Sequence, residues 1–180
     1  MRIQETAKIL NKGGIIVYPT DTIYGIGCLL CFSKSIKKIF RIKKRPKNKP
    51  VLIMVRDIEM LKEYAVLSRR EEKIVLGNIK KPISFIVKAK KGKIPEIVNA
   101  KGDTVGIRFP NTIFLKKLIK EIKYPLITTS ANISGKPFPK RFKDIDKEIL
   151  DKVELGIKGK NLTGRPSKII DLATEEILRE

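Results

Sequence analysis

The sequence predicts one α/β domain built on a mixed sheet. Short apolar, β-branched runs alternate with segments whose apolar residues recur every three or four positions. No internal repeat or long linker separates these segments, so residues 1–180 are expected to form a single domain. The spacing between some apolar runs is too irregular for strict β-α-β alternation, which favours a mixed sheet over a purely parallel one.

The predicted strands are apolar runs, most of them bounded by proline or glycine. Residues 15–18 form a continuous apolar run before Pro19, as expected of a strand buried on both faces. Residues 20–27 are rich in hydroxyl side chains and glycine, and are predicted to form a loop. The other predicted strands are 51–55, 83–87, 105–109, 126–129, 153–157 and 168–172.

The predicted helices follow the 3.6-residue period of the apolar side chains. Ser33 is expected to cap a helix over 34–44, and Pro46 is expected to end it. In the helix predicted at 113–122, the core side is expected to carry Ile113, Leu115, Leu118, Ile119 and Ile122. The other predicted helices are 3–11, 58–64, 70–77 and 144–152.

The chain is strongly basic, with 40 Lys and Arg against 19 Asp and Glu and a formal net charge of +21. Such a surplus attracts polyanions, so RNA, nucleotides and acidic membranes are all compatible partners. A lysine-rich proteome of a heat-loving organism is an alternative explanation that does not exclude the first. No apolar run approaches the roughly 20 residues of a membrane helix, and the N-terminus lacks a signal-peptide stretch. A cytoplasmic protein without membrane contact is therefore expected.

Histidine is absent from the sequence, which excludes Ser-His and Cys-His nucleophilic catalysis and histidine general-base chemistry. Cys28 and Cys31 form one C-x2-C pair, but a structural zinc site needs four ligands. Two metal-free thiols are therefore expected, and no metal site. The chemistry of this chain must use carboxylates, cations, hydroxyls and backbone dipoles.

Three polar segments beside predicted strands are candidates for ligand binding: 19–22, 43–50 and 128–135. The middle segment has five cations in seven residues and two prolines, and could clamp the phosphates of a nucleotide. Turn chemistry for the outer two segments and a solvated basic loop for the middle one are the alternatives. The chain has neither a P-loop motif nor a G-x-G-x-x-G motif, so an ATP site would be of another type.

Five stretches, taken in order, resemble the YrdC-like threonylcarbamoyl-AMP synthase family in its short, single-domain form. They are 13–25, 43–46, 104–110, 129–135 and 164–172, within a resemblance that covers roughly residues 3–172. The family implies a twisted open α/β sheet with flanking helices and a concave basic cavity. It also implies condensation of L-threonine, bicarbonate or CO2 and ATP, with Mg2+ on the phosphates, into threonylcarbamoyl-AMP and pyrophosphate. A downstream complex would transfer the threonylcarbamoyl group to adenosine 37 of tRNA, giving t6A.

The resemblance also implies roles for individual residues. The family's K-x-R and S-x-N signatures fall on Lys43, Arg45, Ser130 and Asn132. Lys43 and Arg45 are the expected catalytic residues. The expected ATP-binding residues are Lys43, Arg45, Lys49, Ser84, Ser130, Asn132 and Ser167, and the expected threonine-binding residues are Thr22, Arg108 and Thr128.

The chain departs from the family pattern at four positions. Met54 stands where many members have histidine, and Ser84 where many have threonine. Phe138 replaces a common serine and Lys168 a second hydroxyl, and both changes bear on the expected nucleotide contacts.

Two other functions compete with the synthase. One is a non-catalytic RNA-binding protein in tRNA or ribosome maturation, for which tRNA or double-stranded RNA would be the partner. The other is a related carbamoyl-transfer enzyme, although such domains usually sit inside longer chains. The four retained signature residues favour the synthase over both.

Overall fold

The computed structural model describes residues 3–180, so Met1 and Arg2, on which the signal-peptide expectation partly rests, lie outside it. Ten strands form one mixed sheet in the order β10-β9-β5-β6-β3-β7-β2-β1-β8, with β4 paired to β5. The mixed open sheet is thus confirmed. The strands are β1 Ile16–Pro19, β2 Tyr24–Gly27, β3 Leu52–Met54, β4 Ala65–Val66, β5 Ile83–Ala89, β6 Thr104–Arg108, β7 Leu126–Ser130, β8 Leu155–Gly156, β9 Lys168–Asp171 and β10 Ile177–Arg179.

Seven helices flank this sheet in the described part of the chain. They are α1 Ile3–Asn11, α2 Ser33–Ile42, α3 Ile58–Tyr64, α4 Arg69–Asn78, α5 Glu96–Asn99, α6 Ile113–Glu121 and α7 Lys147–Leu150, with a 3-10 turn at Phe142–Asp144. None of the helices in residues 3–180 has both the length and the apolar composition needed to cross a bilayer.

Two hydrophobic cores lie on opposite faces of the sheet, because successive strand residues point to opposite sides. The larger core takes Ile53, Phe85 and Ile107 from the strands and packs them against α2 and α3. The smaller core takes Met54 and packs it against α1 and α6. Helices α1 and α6 cover only part of their face, and the uncovered part is open to ligands.

The loop predicted at 20–27 is wrong in its second half. Tyr24–Gly27 is strand β2, which pairs with β1 on one side and β7 on the other. A Cβ placed on Gly27 would collide with the carbonyl oxygen of Ile127. The glycine is therefore needed for the close approach of two strands and not for a turn.

Three details of the predicted helices are also wrong. Helix α2 begins at Ser33 itself, its N-cap is Phe32, and no side chain caps it. Ile113, predicted to face the core, is 76% exposed at the first position of α6. The helix predicted at 144–152 is reduced to the single turn of α7. Elements α5, β4 and β10 were not predicted, because segments of two to four residues do not complete a readable period.

Candidate active site

A cavity of about 310 Å³ occupies the part of the sheet face that α1 and α6 leave uncovered. Its floor comes from neighbouring strands in register: Leu52 of β3 lies opposite Gly106 of β6 and Thr128 of β7. Loops over 20–23 and 163–167 form its rim, where the backbone N–H of Gly164 donates to the carbonyl of Thr22 at 3.3 Å. The cavity therefore collects residues from stretches far apart in the sequence.

Arg108, at the end of β6, is a buried cation in this cavity, only 6% exposed. Its Nη2 donates to Asp21 Oδ1 at 2.6 Å and to Thr22 Oγ1 at 3.0 Å. Its Nε is buried and has no hydrogen-bond partner among the described residues. Because a buried guanidinium donor is costly to leave unpaired, this geometry suits an anionic ligand such as a carboxylate.

The two threonines of the expected threonine site also line the cavity. Thr22 is held by the preceding turn, in which the Thr20 hydroxyl accepts from the backbone N–H groups of Thr22 at 3.0 Å and Ile23 at 3.1 Å. Thr128 Oγ1 accepts a hydrogen bond from the hydroxyl of Tyr18 at 2.8 Å. Burial raises the pKa of Tyr18 above its usual range, so this phenol stays protonated and remains the donor.

Lys43 is almost completely buried, with 1% exposure, and its side chain does not line the cavity. Its ammonium donates to the carbonyl oxygens of Ser130 and Asn132, the latter at 2.7 Å, and to Asn132 Oδ1 at 3.3 Å. Burial, assisted by the charge of Arg45, lowers the pKa of Lys43 to about 7. In this structure Lys43 therefore fastens the end of α2 to the S-x-N segment.

Arg45 does line the cavity, only two residues further along the chain. Its Nε donates to the carbonyl of Lys49 at 3.1 Å and its Nη2 to that of Pro50 at 2.6 Å, which holds the guanidinium across its own loop. Burial lowers the pKa of Arg45 below its usual value. The Lys49 side chain is exposed and lies outside the cavity lining.

Of the remaining expected ATP-binding residues, two line the cavity and two are buried outside its lining. Ser130 and Ser167 line the cavity, whereas Ser84 and Asn132 are buried behind it. The Ser84 and Ser167 hydroxyls are 2.8 Å apart. Asn132 Nδ2 donates to the Lys136 carbonyl at 2.5 Å, which shapes the loop after β7.

Arg179 is not among the residues predicted for the site, yet it lines the cavity from the edge strand β10. Its Nε and Nη2 donate to the Ser167 carbonyl at 2.9 and 2.8 Å. Burial, together with the nearby charge of Arg108, lowers the pKa of Arg179. Residues 176–179 read Glu-Ile-Leu-Arg, without polar-apolar alternation, so the sequence carried no strand signal there.

Three of the departures from the family pattern are resolved by their positions. Met54 is buried in the smaller core and does not line the cavity. Lys168 does not line it either, whereas Phe138 does. Only the change at 138 therefore alters the cavity wall directly.

The side chains that line the cavity carry a surplus of positive charge, although the Asp21 carboxylate pairs with one of the arginines at 2.6 Å. The described residues that line the cavity include three arginines, Arg45, Arg108 and Arg179, and neither aspartate nor glutamate. Fixed cations of this kind stabilise charge that builds on a phosphate or a carboxylate during a reaction.

A second, larger groove of about 870 Å³ adjoins the cavity through Arg45. It runs between α2 and α5, and Glu96 is its one acidic residue among those the structure describes. Its basic residues are Lys37, Arg41, Lys44, Arg45, Lys47 and Lys101. The groove therefore combines apolar residues, among them Phe40 and Ile97, with basic side chains that can contact a polyanion backbone.

Within residues 3–180, no group of three or more cysteine, aspartate or glutamate side chains is placed to hold a metal ion. Cys28 is buried and Cys31 is exposed. Burial raises the pKa of the Cys28 thiol to about 12, so this group is neutral at physiological pH.

Comparison with known proteins places this geometry in a family. The model of the Sua5/YciO/YrdC family, described as "Telomere recombination", matches residues 8–180. A protein of Methanocaldococcus jannaschii named "Putative threonylcarbamoyl-AMP synthase" is 42% identical over 173 residues, covering 95% of this chain and 80% of that protein. The uncharacterized protein YciO of Escherichia coli is 30% identical over 181 residues, covering 99% of this chain and 88% of YciO.

The crystal structure of P. abyssi Sua5 complexed with L-threonine superposes with a TM-score of 0.90 at 29% identity. The match covers 98% of this chain and 53% of that protein, so this chain spans about half the length of that Sua5. With a family match over almost every residue and the same fold in solved relatives, the chain belongs to the Sua5/YciO/YrdC family.

Proposed function

We propose that this chain is an L-threonylcarbamoyladenylate synthase, which condenses L-threonine, bicarbonate or CO2, and ATP into threonylcarbamoyl-AMP and pyrophosphate. The observation that carries the proposal is buried Arg108, which lines the same cavity as Thr22 and Thr128 and whose Nε has no hydrogen-bond partner among the described residues. The names of the M. jannaschii and P. abyssi relatives support threonine and ATP as substrates.

Threonine is proposed to bind through its carboxylate to Arg108, with Thr22 and Thr128 offering hydroxyls to its polar groups. The amine of bound threonine then attacks CO2 and loses a proton, forming a carbamate. Arg108 is suited to this role because it is already fixed by Asp21 and Thr22 and needs no rearrangement to receive an anion.

ATP is proposed to place its phosphates among Arg45, Arg179, Ser130 and Ser167. A carbamate oxygen attacks the α-phosphorus, the bond between that phosphorus and the bridging oxygen to the β-phosphorus breaks, and pyrophosphate leaves. The arginines stabilise the charge on the phosphate oxygens, and Mg2+ would be carried by the ATP phosphates themselves.

Four residues that do not line the cavity remain predicted ATP-binding residues: Lys43, Lys49, Ser84 and Asn132. A direct catalytic contact from Lys43 also remains a prediction. The contacts of Lys43 support a positioning contribution, since its ammonium holds the carbonyl of Ser130 in the cavity wall. Ser84 supports Ser167 in the same way through the contact of their hydroxyls.

Transfer of the product to tRNA by a downstream complex completes the proposal, and a cytoplasmic location is part of it. The second groove and the net charge of +21 support a direct contact with tRNA or double-stranded RNA. The same two observations favour the second candidate function, an RNA-binding protein without catalysis.

The deciding experiment measures pyrophosphate release from ATP with threonine, bicarbonate or Mg2+ omitted in turn. The expected result is release that requires both threonine and bicarbonate, with threonylcarbamoyl-AMP identified by mass. Absence of release under all conditions, together with salt-dependent binding of RNA, would favour the RNA-binding protein instead.

A further inference from the structure

Phe138 is an aromatic side chain left partly exposed in the wall of the cavity that also holds the three arginines. It is 37% exposed, whereas Phe85 and Phe109 are almost completely buried in the larger core. Among the described residues that line the cavity it is the one aromatic side chain.

The backbone that carries this ring is constrained by its neighbours in the chain. Pro137 and Pro139 each lock their own backbone φ angle, and Pro139 also restricts Phe138 to extended conformations. Hydrogen bonds anchor the loop on both sides of this Pro-Phe-Pro segment. Asn132 Nδ2 donates to the Lys136 carbonyl at 2.5 Å, and the Leu162 N–H donates to the Lys140 carbonyl at 2.8 Å.

Because the Pro-Phe-Pro segment holds the ring of Phe138 partly in solvent, this ring adds less to the hydrophobic core than a buried phenylalanine does. The exposed ring forgoes about 25 cal/mol of stabilisation for each Å² of apolar surface left in water. The arginines of the same cavity can bind phosphate and carboxylate groups, but they do not complete an apolar wall. The ring therefore suits the part of a ligand that is flat and weakly hydrated, which in a nucleotide is the base.

We propose that Phe138 forms the stacking surface for the adenine base of ATP. This inference rests on the proposed function, since it takes ATP as the substrate of this cavity. Where many family members have a serine, this chain would exchange a hydroxyl contact for base stacking. Stacking of a base on an aromatic side chain is worth about 1–3 kcal/mol, so the ring is a determinant of nucleotide affinity.

The test compares the affinities of the wild type and of Phe138→Ser for AMP and for inorganic tripolyphosphate, measured by calorimetry. Phe138→Ser is expected to weaken AMP binding by about 5- to 150-fold, which is ~1–3 kcal/mol at 1.4 kcal/mol per tenfold change. Tripolyphosphate has no base, so its affinity is expected to change less than about twofold. Phe138→Tyr is the matched control and is expected to retain AMP binding, because it keeps the ring.

Several results would overturn the stacking role. They are unchanged AMP affinity in Phe138→Ser, an equal loss for AMP and tripolyphosphate, or a loss in Phe138→Tyr as large as that in Phe138→Ser. Failure of the wild type to bind AMP would overturn it as well. In contrast, a wild type that binds AMP through Phe138 but releases no pyrophosphate with threonine and bicarbonate would refute the proposed function and leave the stacking role intact.

Discussion

The two faces of the sheet carry out different tasks, although they share the same strands. On one face, the larger core buries Ile53, Phe85 and Ile107 against α2 and α3. On the other, Met54 is covered by α1 and α6, while Leu52, Gly106 and Thr128 are left as the floor of a cavity. Alternation of side chains along a strand thus lets one residue support the fold while its neighbour contacts a ligand.

The sharpest contrast predicted by this division is in stability. Phe85→Ala empties part of the larger core and is expected to lower the free energy of unfolding by about 3–5 kcal/mol. The matched change on the open face, Phe138→Ala, removes the same ring from an exposed position and is expected to cost less than about 1 kcal/mol. Urea unfolding followed by circular dichroism measures both, and equal costs would show that the two faces contribute alike.

The reverse contrast is expected in catalysis. Arg45→Ala removes a cavity cation that supports only its own loop, so turnover is expected to fall about 100-fold or more with the fold retained. Arg69→Ala is the control, because this side chain is exposed at the start of α4 and does not line the cavity, and it should turn over normally. Steady-state pyrophosphate release gives the comparison, and normal turnover by Arg45→Ala would remove that loop from the ATP site.

A smaller effect concerns the cation that is buried behind the cavity. The pKa of Lys43 falls to about 7 in the folded protein, so the unfolded chain binds more protons at this group above pH 7. Stability is therefore expected to rise by about 1–2 kcal/mol from pH 7 to about pH 8.5. Above that range the rise should slow and then level off, because the raised pKa of Cys28 acts in the opposite direction.

Lys43→Met is the control for this pH dependence, since it keeps the length of the side chain and removes the titrating group. Its unfolding free energy, measured in urea across the same pH range, should lack the rise. If the variant shows the same rise as the wild type, another group is responsible and Lys43 stays charged in the folded state.

Much of the fold could be predicted from the sequence, because the apolar runs that define β1, β3, β5, β6 and β7 are local signals. The sequence did not predict that Lys43 is buried behind the cavity while Arg45 lines it, although both are predicted site residues. What separates them is the pair of carbonyls at Ser130 and Asn132, which lie 87 and 89 residues away and reach Lys43 through the sheet. Only the tertiary structure decides which of two neighbouring cations is buried.

The position of Arg179 in the cavity lining could not be predicted from the sequence either. Its side chain enters the cavity because β10 pairs with β9, with Arg179 opposite Ile169. A three-residue edge strand gives too little pattern to predict that pairing. The family motifs predicted residues that the structure brings to one cavity, such as Arg45 and Arg108, and long-range strand pairing adds Arg179 to the same lining.

The hydrogen bond from Tyr18 to Thr128 gives the cavity a definite polarity. Because the phenol keeps its proton, the oxygen of Thr128 already accepts one hydrogen bond and its own hydrogen is free to be donated elsewhere. Arg108, which is paired with Asp21, adds further donors at the same wall. A group that pairs with the Thr128 hydrogen is therefore an acceptor, such as a carboxylate or carbonyl oxygen.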